Sequence, residues 1–344
     1  MTDERAQLQA ALQEKLSALT HSDVRIENLH KLAGGASQET WQLDLHVETG
    51  ETRGDYKLVL RRQLGGKIYP DALDLWREFR VMQIAYASDV LVPYPQAWLP
   101  NVLGRPAALI HWMSGETIGR RIVREPSLEG ARKKLPAQMG NMIARIHAIN
   151  IDTYALRHLV PAPPTNGTSP AQWTLTALER MLDEIGEPHP ALELGLRWLH
   201  RHEPPPPKRL TFLHGDYRIG NIMVNKEGLV SVLDWEFAHI GDPYEDLSWS
   251  LVRDWRFGND ELHFGGIAQP DEFFAAYENA TGTQIDRTVV HYWEIMGNVR
   301  WAVGMLNQAQ RHLRGLEPNL EFASLGRRCA EIELEVLQLI SPEC

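Results

Sequence analysis

Three polar side chains stand within one largely apolar stretch of the chain. Asp216 lies in Leu213-His214-Gly215-Asp216-Tyr217-Arg218-Ile219-Gly220-Asn221-Ile222-Met223-Val224; Asn221 follows it by five residues, and Asp234 follows Asn221 by thirteen, in Leu233-Asp234-Trp235-Glu236. An acid, an amide and a second acid in that order are the parts that phosphoryl transfer requires. One carboxylate accepts or orients the proton of an attacking hydroxyl. The amide oxygen and the second carboxylate hold a divalent cation against nucleotide phosphates. Each residue alone would serve equally well as a turn cap. Their combination and spacing point to chemistry.

The flanking residues supply elements to position them. Thr211-Phe212-Leu213 reads as a short strand, and Gly215 and Gly220 permit tight turns on either side of the acid. Ile222-Met223-Val224 and Leu229-Val230-Ser231-Val232-Leu233 read as two more strands, with Asn225-Lys226-Glu227-Gly228 as the turn between them. Such a hairpin brings Asn221 and Asp234 toward one end.

The order H-x-D-x-x-x-x-N with an Asp on the next hairpin matches the catalytic loop and metal-binding Asp of protein kinases. The segments HGDYRIGNIMV, VLDWE and GDPYEDLSW resemble the aminoglycoside phosphotransferase and choline kinase superfamily. Leu58-Val59-Leu60-Arg61-Arg62 and Trp76-Arg77-Glu78-Phe79-Arg80-Val81 look most like the kinase domains found alone in bacteria or fused to acyl-CoA dehydrogenases. The resemblance implies an α+β, protein-kinase-like two-lobe fold. Its five-stranded antiparallel N-lobe would span 1–113 and its mainly helical C-lobe 114–344. It also implies ATP and Mg²⁺ as cofactors, with Asp216 as catalytic base and Asn221 and Asp234 as metal ligands. Arg61 would neutralise phosphates, paired with Glu78 on a following helix. The superfamily normally has Lys where this chain has Arg61; an arginine fork still suits phosphate, with different reach. His214 and Asp246 would support the catalytic loop.

The rest of the chain fits that frame. Residues 4–19 carry Leu8, Leu12, Leu16 and Leu19 on one helical stripe, which could cover a sheet. Strands are expected at Val24–Leu32, Glu39–Val47, Tyr56–Arg62, Gln96–Leu99 and Ala107–Trp112, and a helix at Pro70–Tyr86. Gly34, Gly35 and Ser37 form a small-residue turn between the first two strands, where backbone N–H groups can approach phosphate oxygens. An ordinary hairpin turn would look the same. Arg62 should face away from Arg61, because side chains alternate along a strand. Ile110, Trp112 and Met113 occupy the expected hinge, where backbone groups would read an adenine edge. Residues 118–134 read as a charged helical face, and the basic cluster there has an alternative use in receiving a phosphate-bearing tail such as coenzyme A. His147 reads as a packed histidine. Asp242 and Pro243 open a helix. The last hundred residues read as helical, with Trp249, Trp255, Trp293 and Trp301 as core residues first and an acceptor pocket second.

Bulk properties exclude some classes. A net charge of −10 argues against a nucleic-acid binder held by general electrostatics. No apolar run approaches the ~18–20 residues of a membrane span, and the acidic N-terminus lacks a secretory apolar core. The two cysteines, Cys329 and Cys344, form no metal or lipidation motif. A reduced cytoplasmic enzyme is expected. It would act on a small-molecule hydroxyl acceptor, without nucleic-acid or membrane partners. The acceptor stays open between a hydroxyacyl-CoA or hydroxy acid, choline or ethanolamine, and an aminoglycoside. Rival classes are a nucleotide-binding pseudokinase, favoured only by Arg61 in place of Lys, and a metal-dependent hydrolase, which would need more clustered ligands than surround Asp216.

Overall fold

The computed structural model describes residues 2–32, 38–64, 72–316 and 319–341. They divide into two units, Met1–Gly115 with Ser231–Ala238, and Glu116–Val230 with His239–Cys344.

The first unit opens with helix α1 (Thr2–Thr20) and continues as β1 (Val24–Lys31), β2 (Gln38–Val47), β3 (Gly54–Gln63), α2 (Leu75–Ala87), β4 (Pro95–Val102) and β5 (Arg105–His111). The strands form one antiparallel sheet in the order β1-β2-β3-β5-β4. Alternation divides its faces. Leu43, Leu45, Leu58, Leu60, Ala107 and Leu109 pack with Leu8, Leu12 and Leu16 of α1. Ala108 packs on the other side with Leu75 and Phe79 of α2. Leu19 leaves the expected stripe and is 55% exposed. Helix α2 starts later than Pro70 because Asp74 caps it, accepting from the Arg77 N–H at 2.9 Å.

The second unit contains α3 (Gly119–Arg124), α4 (Glu129–Arg132), α5 (Leu135–His147), α6 (Pro170–Ile185) and α7 (Pro190–Arg201). Next come β6 (Thr211–Leu213), β7 (Ile222–Asn225), β8 (Gly228–Val232, its last two residues counted with the first unit), β9 (His239–Gly241) and α8 (Pro243–Trp249). Helices α9 (Asp271–Thr281), α10 (Arg287–Leu313) and α11 (Leu320–Ile340) complete it. Strands β6 and β9 pair antiparallel, and β7 and β8 form the expected hairpin. A core of Leu175, Leu196, Trp293, Val299, Val303, Ile332 and Val336 joins α6, α7, α10 and α11.

Three expectations are adjusted. The 118–134 region is not one helix: it breaks at Glu125-Pro126, since the residue before proline avoids helical backbone. Several of its basic residues are engaged: Arg132 on the Ile122 and Glu125 carbonyls, Lys133 on Glu129, Arg124 on the Phe257 carbonyl and Lys134 on Glu227. The last hundred residues are not uniformly helical, because short turns and irregular chain fill the interval between α8 and α9. Finally, Ser231–Ala238 belongs with the sheet unit, although contiguity in sequence had placed it with the helical one. Backbone bonds tie it there: Val232 N–H donates to the Leu91 carbonyl at 2.7 Å, and Leu73 N–H to the Glu236 carbonyl at 2.6 Å.

Candidate active site

In the second unit, β6 delivers the chain into a loop built around a buried carboxylate. Asp246, on α8, is fully buried. Its Oδ2 accepts the His214 N–H at 2.7 Å and its Oδ1 the Gly215 N–H at 2.9 Å. Burial alone would raise its pKa; hydrogen bonding and charge from His147 and His214 outweigh that and hold the carboxyl below the ordinary range. Helix α8 is set by Asp242, which accepts the Tyr244 N–H at 3.0 Å. Gly215 turns the chain with φ +80°, a conformation open to glycine. The Asp216 N–H then donates to His214 Nδ1 at 3.2 Å.

Three donors surround the Asp216 carboxylate. Arg218 Nε–H and Trp249 Nε1–H donate to Oδ1 at 2.9 and 2.5 Å, and Asn221 Nδ2 to Oδ2 at 2.5 Å. Both lone pairs of Oδ1 are therefore used, while Oδ2 keeps one for a hydroxyl proton. Asn221 Nδ2 also donates to the Asp216 carbonyl at 3.0 Å. That leaves Asn221 Oδ1 without a donor among the described residues, a fit to a hard cation.

In the first unit, Arg61 on β3 donates through Nη1 to Glu78 Oε1 on α2, and its Nη2 lies 3.7 Å from Asp234 Oδ1. Gln38 Nε2 donates to Glu78 Oε2 at 3.1 Å, so both oxygens of this fully buried carboxylate are engaged. Burial would lower the Arg61 pKa; Glu78 and Asp234 reverse this and raise it. Asp234 adopts left-handed backbone at φ +64°, unusual for a residue with a side chain, and keeps its carboxylate 49% exposed. A half-exposed carboxylate on strained backbone fits a metal ligand. Arg62 faces away, buried against Glu39 and the Val102 carbonyl.

The remaining candidates are placed as follows. Gly34, Gly35 and Ser37, like Lys67, lie outside the described residues. Ile110 is paired in the sheet with Val59 and Pro95. Trp112 gives its N–H to the Lys57 carbonyl at 2.9 Å, so that donor is not open to an adenine. Met113 follows the last strand. His147 does more than pack: its Nε2 faces Asp246 Oδ2 at 3.2 Å and its Nδ1 the Tyr277 hydroxyl at 3.0 Å. Gln38, Arg218 and Tyr277 were not singled out from sequence. Arg218 had a signal, since it lies inside the motif itself. Of the four tryptophans, Trp293 lies in the helical core, and Trp249 and Trp255 form a second buried cluster on which Trp301 packs with tilted rings, Trp249 also reaching Asp216.

Sheet, helical bundle and carboxylate loop together define a protein-kinase-like fold. Residues 28–293 match the model of the phosphotransferase enzyme family. The chain belongs to that family. A mouse relative, acyl-CoA dehydrogenase family member 10, is 27% identical over 288 residues, covering 78% of this chain and 25% of its own. The chain thus spans about a quarter of that relative's length. Among solved structures, a Ralstonia eutropha protein assigned to the aminoglycoside phosphotransferases aligns with TM-score 0.71 and 20% identity over 96% of this chain and 97% of its own. Spectinomycin phosphotransferase bound to ADP and spectinomycin aligns with TM-score 0.62 and 13% identity over 96% and 98%. No helix among the described residues is long and apolar enough to cross a membrane.

Proposed function

We propose that the protein transfers the γ-phosphoryl group of ATP to the hydroxyl of a small molecule, a hydroxy acid or hydroxyacyl-CoA. The observation that carries this is the state of Asp216: three donors orient its carboxylate, and one lone pair of Oδ2 stays available. Asp216 orients the acceptor hydroxyl and takes its proton as the acceptor oxygen bonds to phosphorus and the bond to the ADP oxygen breaks. In a loose transition state, positioning outweighs proton removal. Arg61, fixed by Glu78, neutralises nucleotide phosphates. Asn221 Oδ1 and Asp234 are each suited to Mg²⁺ and would hold it, and the ion would neutralise charge on the phosphate oxygens. The backbone at Met113 reads the base. The acyl-CoA dehydrogenase name of the mouse relative supports an acyl-chain acceptor.

The test is ADP release from MgATP across hydroxy acids, hydroxyacyl-CoAs, choline, ethanolamine and aminoglycosides. Release should depend on one acceptor class. Asp216→Asn should lose about 10²–10⁴-fold in turnover while still binding nucleotide. Asp234→Ala should abolish turnover and weaken MgATP binding. Wild-type turnover by Asp216→Asn would remove the proposed base.

A further inference from the structure

Arg218 is built into the loop more tightly than a surface arginine. Its Nε–H holds Asp216 Oδ1 at 2.9 Å. Its guanidinium carbon lies 4.1 Å from the centre of the Trp255 ring, a cation–π contact. Gly220 makes room for it: a Cβ at that position would stand 2.0 Å from Arg218 Nη1. Three features therefore fix one side chain, which keeps 20% of its surface exposed.

The neighbouring arginines differ. Arg253 spends both terminal nitrogens, on Glu335 and Asp260. Arg256 is buried between Glu294 and Glu335, Arg300 binds Glu245 at 2.8 Å, and Arg328 binds Asp254. Arg218 alone of these holds its carboxylate side-on through Nε. Its Nη1 and Nη2 have no acceptor among the described residues. A planar guanidinium with both terminal nitrogens available matches a carboxylate or phosphate, two oxygens to two donors.

We propose that Arg218 is the residue that selects the acceptor. Resting on the kinase reading above, it binds an anionic group, carboxylate or phosphate, carried on the same small molecule as the reacting hydroxyl. The hydroxyl meets Asp216 Oδ2 while the anion meets the Arg218 fork. The same cation disfavours choline, ethanolamine and aminoglycosides, whose charge is positive. It also favours a free hydroxy acid over a thioester, which lacks the nearby anion.

The experiment compares kcat/KM for matched acceptors with wild type, Arg218→Gln and Arg218→Lys. The probes are lactate, β-hydroxybutyrate and γ-hydroxybutyrate, their methyl esters, glycerol phosphate, ethanolamine and choline. Acids and the phosphate monoester separate the two anion chemistries. Wild type should prefer an anionic probe to its neutral counterpart by about 10²-fold, the scale of one lost charge-assisted pair. Arg218→Gln should lose that factor on the anion, mainly in KM, and change the ester by only a few-fold; Arg218→Lys should fall between. Equal losses on acid and ester would show that Arg218 only positions Asp216, and would overturn the inference. So would a wild-type preference for the ester or the amines. If no probe is phosphorylated, the kinase reading is what fails for these acceptors. Calorimetric binding of the acids then reads Arg218 separately: weaker binding to Arg218→Gln than to wild type supports the inference, and equal or absent binding ends it. Thermal unfolding of each variant verifies that it is folded.

Discussion

The two carboxylates assigned to phosphoryl transfer are held by different kinds of partner. In the first unit, Asp234 stands near Arg61, and Arg61 is fixed by Glu78 and, through it, Gln38. These links are between side chains, brought from two strands, a helix and the 231–238 segment, which backbone bonds to Leu91 and Leu73 hold in place. In the second unit, the loop that carries Asp216 is itself placed through its backbone, before side chains orient the carboxylate. Asp246 accepts two successive main-chain N–H groups, and His147 and Tyr277 stand behind it. Side-chain pairing can be weakened without moving the chain that carries it. A buried carboxylate that satisfies main-chain donors cannot be removed without leaving those donors unpaired, so stability and activity should be separable in the first unit and coupled in the second.

The largest test of that contrast is Asp246→Asn. The amide can offer an oxygen to one N–H but presents its own NH₂ to the other. Breaking such a network costs about 3–5 kcal/mol, which corresponds to a Tm lower by on the order of 10 °C. Activity should collapse with it. Calorimetry alongside ADP release measures both, and an unchanged Tm would erase the contrast.

Glu78→Gln is the counterpart. It preserves shape but removes the charge that fixes Arg61. KM for MgATP should rise by roughly 10–100-fold, with a Tm change well below that of Asp246→Asn. Comparable Tm losses in the two variants would mean that both halves are held in the same way. Trp249→Phe should be milder again. It deletes one donor to Asp216 while keeping an aromatic ring, and kcat should fall by about 3–10-fold, the scale of one hydrogen bond.

The contrast also tracks what could be read from sequence. The loop and hairpin were legible because their parts are contiguous, with Gly215, Gly220 and the Asn225–Gly228 turn marking every bend. The five strands were legible from alternation. Spacing alone does not pair Arg61 with Glu78; that expectation came from resemblance. Gln38, Trp249 and Tyr277 join the site across 33 to 130 residues, distances at which a single sequence carries no pairing information. The left-handed backbone of Asp234 was equally hidden, since aspartate visits that region only occasionally and no neighbouring residue marks it here. The break at Glu125-Pro126 has a local cause in the sequence, since the proline disfavours helical backbone at Glu125.

A last difference concerns acids that burial leaves costly. In the second unit Glu294 lies against Arg256, 3.3 Å away. Burial pushes its pKa from the ordinary 4.5 up to about 7; Arg256 pulls it down and Glu335 pushes it up further. Folded chains therefore hold this proton over a range where unfolded chains have released it. Stability from that proton is complete below about pH 4.5 and is lost as pH rises through about 7. The full loss is on the order of 3 kcal/mol. Glu294→Gln carries no such proton and should lose less stability over that interval. Asp242, raised to about 6 by burial, slopes the same way in both proteins, so the difference between the profiles isolates Glu294. Urea midpoints at about pH 5 and about pH 8 give the comparison. A wild-type midpoint that falls more steeply than that of Glu294→Gln is the expected result. Parallel profiles would mean that Arg256 keeps Glu294 ionised throughout, and that the second unit pairs its buried charges as completely as the first.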